Sequence, residues 1–269
     1  MVPKIIHYCW FGGNPKPDDV KRYIASWKKY CPDYEIREWN ESNFDINKND
    51  YCCEAYRAKK WAFVADYARL SVLFKFGGIY MDTDVELVQS FDSLLALDAF
   101  MCFEDHDKVS IGTFGASKAS KLVKDFLTAY DNRHFYKENG EFDTTTNLET
   151  VTQILHNKYY LRLNGRQQIL HKNIVVFPRE KFIAKSVNTG WIMSDDSTIA
   201  IHHYAGSWFS DEDKKLHKRQ SFYLRKYMRM IEDPLSKLAR CRSVIELYGM
   251  KSFSKKILKH LAGLVNIRR

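Results

Sequence analysis

The chain's 269 residues are 45% apolar and 14% aromatic, enough for a sizeable core and too apolar for a disordered chain. No apolar run approaches the length of a membrane-spanning helix, and Met1–Ile6 turns polar too early for a signal peptide. Residues 214–269 hold 16 Lys and Arg against 3 Asp and Glu, a net +13, while residues 1–213 hold 26 against 30, a net −4. The basicity therefore belongs to the tail. No nucleic-acid recognition motif accompanies it, so no nucleic-acid partner is expected. The six cysteines follow no paired spacing and read as the reduced thiols of a cytoplasmic protein.

Lys4-Ile5-Ile6-His7-Tyr8-Cys9-Trp10-Phe11 reads as a buried first strand ended by Gly12-Gly13-Asn14-Pro15. Val20, Ile24 and Trp27 recur at helical spacing over residues 18–30, and residues 34–39 alternate like a second strand. Strand, helix and strand within 40 residues predict a βαβ unit and a mostly parallel sheet. Residues 54–76 predict one helix with a broad apolar face, terminated by Gly77. Asp66 and Arg69 stand three apart on it, so their side chains are neighbours.

Gly77-Gly78-Ile79-Tyr80-Met81-Asp82-Thr83-Asp84 follows, a short apolar strand ending in two acids one residue apart. On a strand, positions i and i+2 share a face, so Asp82 and Asp84 are expected to converge on one cation. Hard oxygen ligands of this kind suit Mg²⁺ or Mn²⁺ held against nucleotide phosphates. Further strands are predicted at 99–103, 111–116, 174–177 and 198–208, with helices at 120–130 and from Thr150. Residues 131–147 read as a polar loop near the substrates. The tail repeats apolar residues at helical spacing among Lys and Arg, which suits either an anionic membrane surface or packing on the main domain. The domain expectation is a catalytic unit at 1–213 and a basic, mainly helical extension at 214–269.

Four blocks, taken together and in order, resemble glycosyltransferase family 32: Ile5–Gly12, Ala65–Arg69, Gly77–Asp84 and Ile201–Trp208. The resemblance implies a GT-A fold, Rossmann-like, binding a nucleotide sugar at the carboxyl ends of its strands. It places His7 and Trp10 at the nucleotide, where the Trp10 ring would stack on the base or, failing that, fill the core. Asp66 and Arg69 match the pair that grips the donor sugar and phosphates. Asp82 would contact ribose or sugar and reach the metal, Asp84 would coordinate it directly, and His203 would complete the coordination in preference to His202. Ser207 and Trp208 would lie on a lid over the diphosphate.

The implied activity is a retaining, metal-dependent transfer of a hexose from a nucleotide sugar, UDP-linked by preference, to a saccharide acceptor. Small bacterial chains of this type build capsule, exopolysaccharide or O-antigen, on lipid-linked acceptors at the inner face of the membrane. Glu104, Asp105 and Asp107 are candidates for the opposite face of the sugar or for the acceptor site, and Asn147 and Thr150 for the acceptor pocket. Two other classes compete. One is a haloacid-dehalogenase-like phosphatase using Asp82 and Asp84, with Asp195-Asp196 as its later acids; the other is a non-catalytic carbohydrate-binding relative. An EF-hand starting at Asp82 fails, because its sixth and twelfth positions are Leu87 and Ser93.

Overall fold

The computed structural model describes residues 1–171, 173–206 and 211–227, together with 242, 243 and 245. It forms two compact units, one of Met1–Lys185 with Ile192–Ala205 and a second of Ser186–Trp191 with Gly206–Arg269. The first unit is built on a seven-stranded sheet. Its opening βαβ unit is β1 (Ile5–Cys9), α1 (Asp18–Tyr30) and β2 (Glu35–Trp39), with β1 and β2 parallel as the apolar pattern required. Two helices come next, α2 (Asp50–Arg57) and α3 (Trp61–Phe76), leading into β3 (Gly78–Met81), which lies parallel to β1 on its other side.

A short strand β4 (Val85–Leu87) leaves the main sheet. The hairpin β5 (Ala99–Asp105) and β6 (Lys108–Ala116) returns to it, with β6 antiparallel to β3. Helices α4 (Lys121–Leu127) and α5 (Asn147–Tyr159) follow, then β7 (Gln168–Leu170) and β8 (Ile174–Phe177). The order across the sheet is β2-β1-β3-β6-β5-β8-β7. Strands β1, β2, β3, β5 and β8 run one way, and β6 and β7 run the other. The mostly parallel, Rossmann-like α/β sheet expected from the sequence is thus present. The last strand of this unit, β9 (Ala200–His202), pairs antiparallel with β4 in a separate two-stranded ribbon.

Alternation along the strands divides the core into two layers. Tyr80, Ala99, Met101 and Phe103 point to one face, packed with α2, α3, α4 and α5 residues such as Leu70, Leu73, Phe126 and Leu155. Ile6, Tyr8, Ile79, Met81, Phe100 and Cys102 point to the other, under Trp27 of α1, Val85 and Leu87 of β4, and Phe182 and Ile199. The carboxyl edge of β3 is therefore flanked by α3 on one side and by the β4–β9 ribbon on the other.

Two expectations of local structure change. The helix over 54–76 is broken at Ala58–Lys60, where Lys59 takes a left-handed φ of 56° and the Lys60 amide bonds back to the Ala55 carbonyl. The break lets α3 bury residues all round, Phe63 to Leu73 being almost continuously covered. Asp82-Thr83-Asp84 also lies on no strand: β3 stops at Met81, and the three residues form a turn closed by the Val85 amide on the Asp82 carbonyl at 3.1 Å.

The second unit contains helix α6 (Asp211–Tyr227), whose buried positions Leu216, Gln220 and Tyr223 lie on one side at helical spacing. Among the described residues no helix is long and apolar enough to cross a membrane. Beyond Tyr227 only Arg242, Ser243 and Ile245 are described, so the other basic residues of the tail and Cys241 lie outside the described residues; the other five cysteines are free thiols.

Candidate active site

The site grows from the diglycine that precedes β3. Gly77 has φ 66° and Gly78 φ 106°, and a Cβ on Gly78 would stand 2.6 Å from the Ile5 carbonyl oxygen, so only glycine fits there. The Gly77 carbonyl accepts from His7 Nε2 at 2.8 Å, while His7 Nδ1 accepts from the Trp39 indole at 3.1 Å. With its acceptor nitrogen facing a donor, the ring is held as the neutral Nε2–H form. Burial brings its pKa down to about 4. His7 is 0% exposed with both nitrogens engaged. The expectation that it binds the nucleotide is therefore corrected: it has no surface to offer and instead fixes where β3 begins.

Asp82 then emerges at the edge of β3, its amide donating to the Gly112 carbonyl of β6 at 2.7 Å. Gly112 leaves room for its carboxylate; a Cβ there would lie 2.7 Å from Asp82 Oδ2. From α3, Arg69 reaches Asp66 Oδ1 at 2.9 Å with Nη2 and Asp82 Oδ1 at 3.2 Å with Nη1. Its remaining hydrogen bonds go to the carbonyls of Ala65 and Ile111, and the guanidinium lies 4.5 Å from the Tyr80 ring centroid. Burial works against the Arg69 charge, but Asp82, Tyr80 and Asp66 outweigh it and keep the group firmly cationic. Burial lifts the Asp66 carboxyl to about 6, against the opposing pull of Arg69. Asn147, at the start of α5, donates its amide to Asp66 Oδ1. Expected at an acceptor pocket, Asn147 instead sits on the residue assigned to the donor.

Asp84 faces the ribbon. His202 Nε2 lies 3.1 Å from its Oδ1, the Ala205 amide donates to its Oδ2 at 2.7 Å, and the His203 amide donates to its carbonyl at 2.8 Å. Burial disfavours charge on both members of the pair, yet each stabilises the other. Asp84 is driven well below the usual carboxylate range, and His202 is lifted to about 9. Tyr204, at φ 56°, stacks on the His202 ring with centroids 4.4 Å apart, and its left-handed turn brings the Ala205 amide back to Asp84.

The ligand atoms of Asp82, Asp84 and His202 all lie within 4.8 Å of one another. Two carboxylate oxygens and one imidazole nitrogen form a donor set suited to Mn²⁺ or Mg²⁺, with positions left for phosphate oxygens. His203, the sequence-favoured ligand, is turned elsewhere: its Nε2 meets Glu86 Oε2 at 2.8 Å and its ring stacks on Tyr23 at 4.5 Å. His202 is the last residue of β9 and His203 follows it directly; neighbouring residues of extended chain point to opposite sides, so only one of the two histidines faces Asp84.

Trp10 follows β1 at the same carboxyl edge, half-buried, its indole donating to the Asn14 carbonyl at 2.6 Å. Glu104, near the end of β5, is the residue the sequence placed least firmly. Burial raises its pKa, Ser110 hydrogen-bonds to it, and it lies within electrostatic reach of His202 and Asp82. Asp105 and Asp107 are exposed at the hairpin tip. Asp195 is spent on its own turn, accepting from the Ser197 amide and hydroxyl. Ser207 and Trp208 lie outside the described residues.

Residues 17–101 match the family described as "Glycosyltransferase sugar-binding region containing DXD motif". That stretch includes Asp66 and Arg69, and Asp82-Thr83-Asp84 is its Asp-x-Asp sequence. Inositol phosphoceramide mannosyltransferase 3 of Schizosaccharomyces pombe is 30% identical over 146 residues, which is 50% of this chain and 40% of that protein. Mannosyl phosphorylinositol ceramide synthase CSH1 of Saccharomyces cerevisiae is 24% identical over 211 residues, 72% of this chain and 54% of the relative. The chain spans between 27% and 54% of the length of the curated relatives it matches. A solved structure titled PaToxG Glycosyltransferase is 20% identical, covering 58% of this chain and 70% of its own, with a TM-score of 0.46. Residues 17–101 of the chain are thus similar to the DXD-containing sugar-binding region of glycosyltransferases.

Proposed function

We propose that the protein transfers a hexose from a nucleoside-diphosphate sugar to a saccharide hydroxyl, with a divalent cation at Asp82, Asp84 and His202. The observation that carries this reading is the continuous chain Asp66–Arg69–Asp82, placed directly beside the Asp84–His202 pair at one sheet edge. It joins a hydroxyl-binding carboxylate, a phosphate-binding guanidinium and a metal-binding acid cluster in the order a nucleotide sugar presents them. Asp66, held by Asn147 and Arg69, accepts hydrogen bonds from donor-sugar hydroxyls. Arg69, buried between Asp66 and Asp82, orients both carboxylates and sets a fixed positive charge near the diphosphate. A bound Mn²⁺ or Mg²⁺ offsets the negative charge of the departing diphosphate.

The reaction breaks the anomeric carbon–phosphate oxygen bond and forms the bond to the acceptor oxygen, and the leaving phosphate takes the acceptor proton. Departure and attack on one face retain configuration, so an α-linked donor gives an α-linked product. This route needs no protein nucleophile. A UDP-hexose is the favoured donor. The acceptor is a saccharide of a capsule, exopolysaccharide or O-antigen pathway, lipid-linked and reached at an anionic inner membrane surface through the basic tail. The yeast relatives are named for transfer of mannose to inositol phosphoceramide, which makes GDP-mannose the second donor to test.

Incubation with a panel of nucleotide sugars, with and without Mn²⁺, tests the reading. Metal-dependent release of one nucleoside diphosphate is expected. Turnover of a generic phosphate monoester, with every nucleotide sugar left intact, would favour the phosphatase alternative instead.

A further inference from the structure

On the side of α3 away from the site lies a groove of about 570 Å³, within the size range of a small-molecule pocket. At 100° per residue, Tyr67, Ser71 and Phe74 form a stripe roughly opposite Arg69 on the helix. The groove therefore shares no lining residue with the donor site. Its rim carries Lys48, Lys75 and Lys118, all exposed, against a single acid, Asp131. Among the described residues none of these three lysines has a carboxylate within ion-pair distance, whereas Lys4, Lys16, Lys21, Lys121 and Lys158 each do. Three unneutralised ammonium groups around one concavity repel each other unless an anion sits between them. The floor is of different character. Phe74 and Leu127 are only half-buried, leaving apolar surface directly beside the charged rim.

A cationic rim over an apolar floor matches a ligand that is anionic at one end and aliphatic at the other. We propose that this groove binds an anionic phospholipid, the phosphate lodged among Lys48, Lys75 and Lys118 and the first methylenes of the chain against Phe74 and Leu127. A free phosphate ester shares the rim chemistry but has no use for the floor. None of the residues lining the groove belongs to the basic tail.

The test is lysine acetylation of the full chain, read residue by residue by mass spectrometry. Dihexanoyl phosphatidic acid is supplied below its micelle concentration, in about 0.3 M salt to screen diffuse binding by the tail. We expect Lys48, Lys75 and Lys118 to react at least fivefold more slowly with the lipid present, while exposed Lys108 and Lys124 are unchanged. Lys118→Glu, a surface substitution, should abolish protection of Lys48 and Lys75. Equal protection by inorganic phosphate at the same concentration would overturn the lipid assignment, and so would unchanged acetylation of the three lysines.

Discussion

His202 Nε2 lies 3.1 Å from Asp84 Oδ1; His202 ends β9 and Asp84 directly precedes β4, two strands that pair across more than a hundred positions of sequence. The pairing of Val85 with His202 decides which histidine enters the site. We therefore expect His202→Ala to weaken Mn²⁺ binding by at least tenfold, measured by electron paramagnetic resonance titration of the free ion. His203→Ala should leave the affinity within about threefold, since its loss removes only the Glu86 and Tyr23 contacts. Equal loss in both variants would contradict the assignment.

Gly112 offers a test that leaves the coordinating residues untouched. It has an ordinary strand conformation, so alanine strains no backbone, but its methyl would meet Asp82 Oδ2 at 2.7 Å. The carboxylate is the free end of a side chain and gives way. Gly112→Ala should lower kcat/KM for the donor by tenfold or more while the melting temperature moves by only a few degrees. Activity within twofold of wild type would show that Asp82 tolerates displacement.

Arg69 is buried between two acids, and its removal strands both. Loss of one partner from a buried ionic cluster costs about 3–5 kcal/mol. Arg69→Met should be destabilised by that order in urea unfolding, and the double variant Arg69→Met with Asp66→Asn should recover part of it. Absence of recovery would mean that the two charges are not coupled.

The buried neutral His7 makes stability depend on pH. Unfolded, its imidazole takes a proton near 6.5; folded, it does so only near 4. Its contribution is complete above pH 6.5, declines as pH falls from 6.5 to 4, and is constant below. The full loss is about 3 kcal/mol. Urea unfolding at pH 7 and pH 4.5 should show a larger fall for wild type than for His7→Gln, which keeps a donor and an acceptor without the titration. Identical falls would remove His7 as the cause.

What the sequence discloses here is mostly local. Asp66 and Arg69 are neighbours because they lie three apart on a helix, and Asp82 and Asp84 are brought together by residues next to them in the chain. The turn between β3 and β4 does what strand alternation was expected to do, so the convergence was legible although its geometry was not. The choice between His202 and His203 depends on the register of β9 against β4, and periodicity within either strand carries no information on that register. The strand expected over 198–208 carries no sign of how it aligns with Val85-Glu86-Leu87, which the sequence does not mark as a strand. His7 is placed at the nucleotide by the resemblance alone; its burial is created by β2, which brings Trp39, and by α3, which is capped by Gly77. The helix break at Ala58–Lys60 was hidden because nothing but lysine and alanine marks it, and the left-handed turn at Lys59 is imposed by the packing of α2 on α3.

The account stands or falls on Asp84. The most direct measurement compares wild type with Asp84→Asn for Mn²⁺-dependent release of nucleoside diphosphate from the preferred nucleotide sugar, with circular dichroism of both proteins as the check on folding. A loss of at least a hundredfold in rate, with an unchanged spectrum, is the predicted result. Undiminished metal-dependent release by the folded Asp84→Asn protein would contradict it.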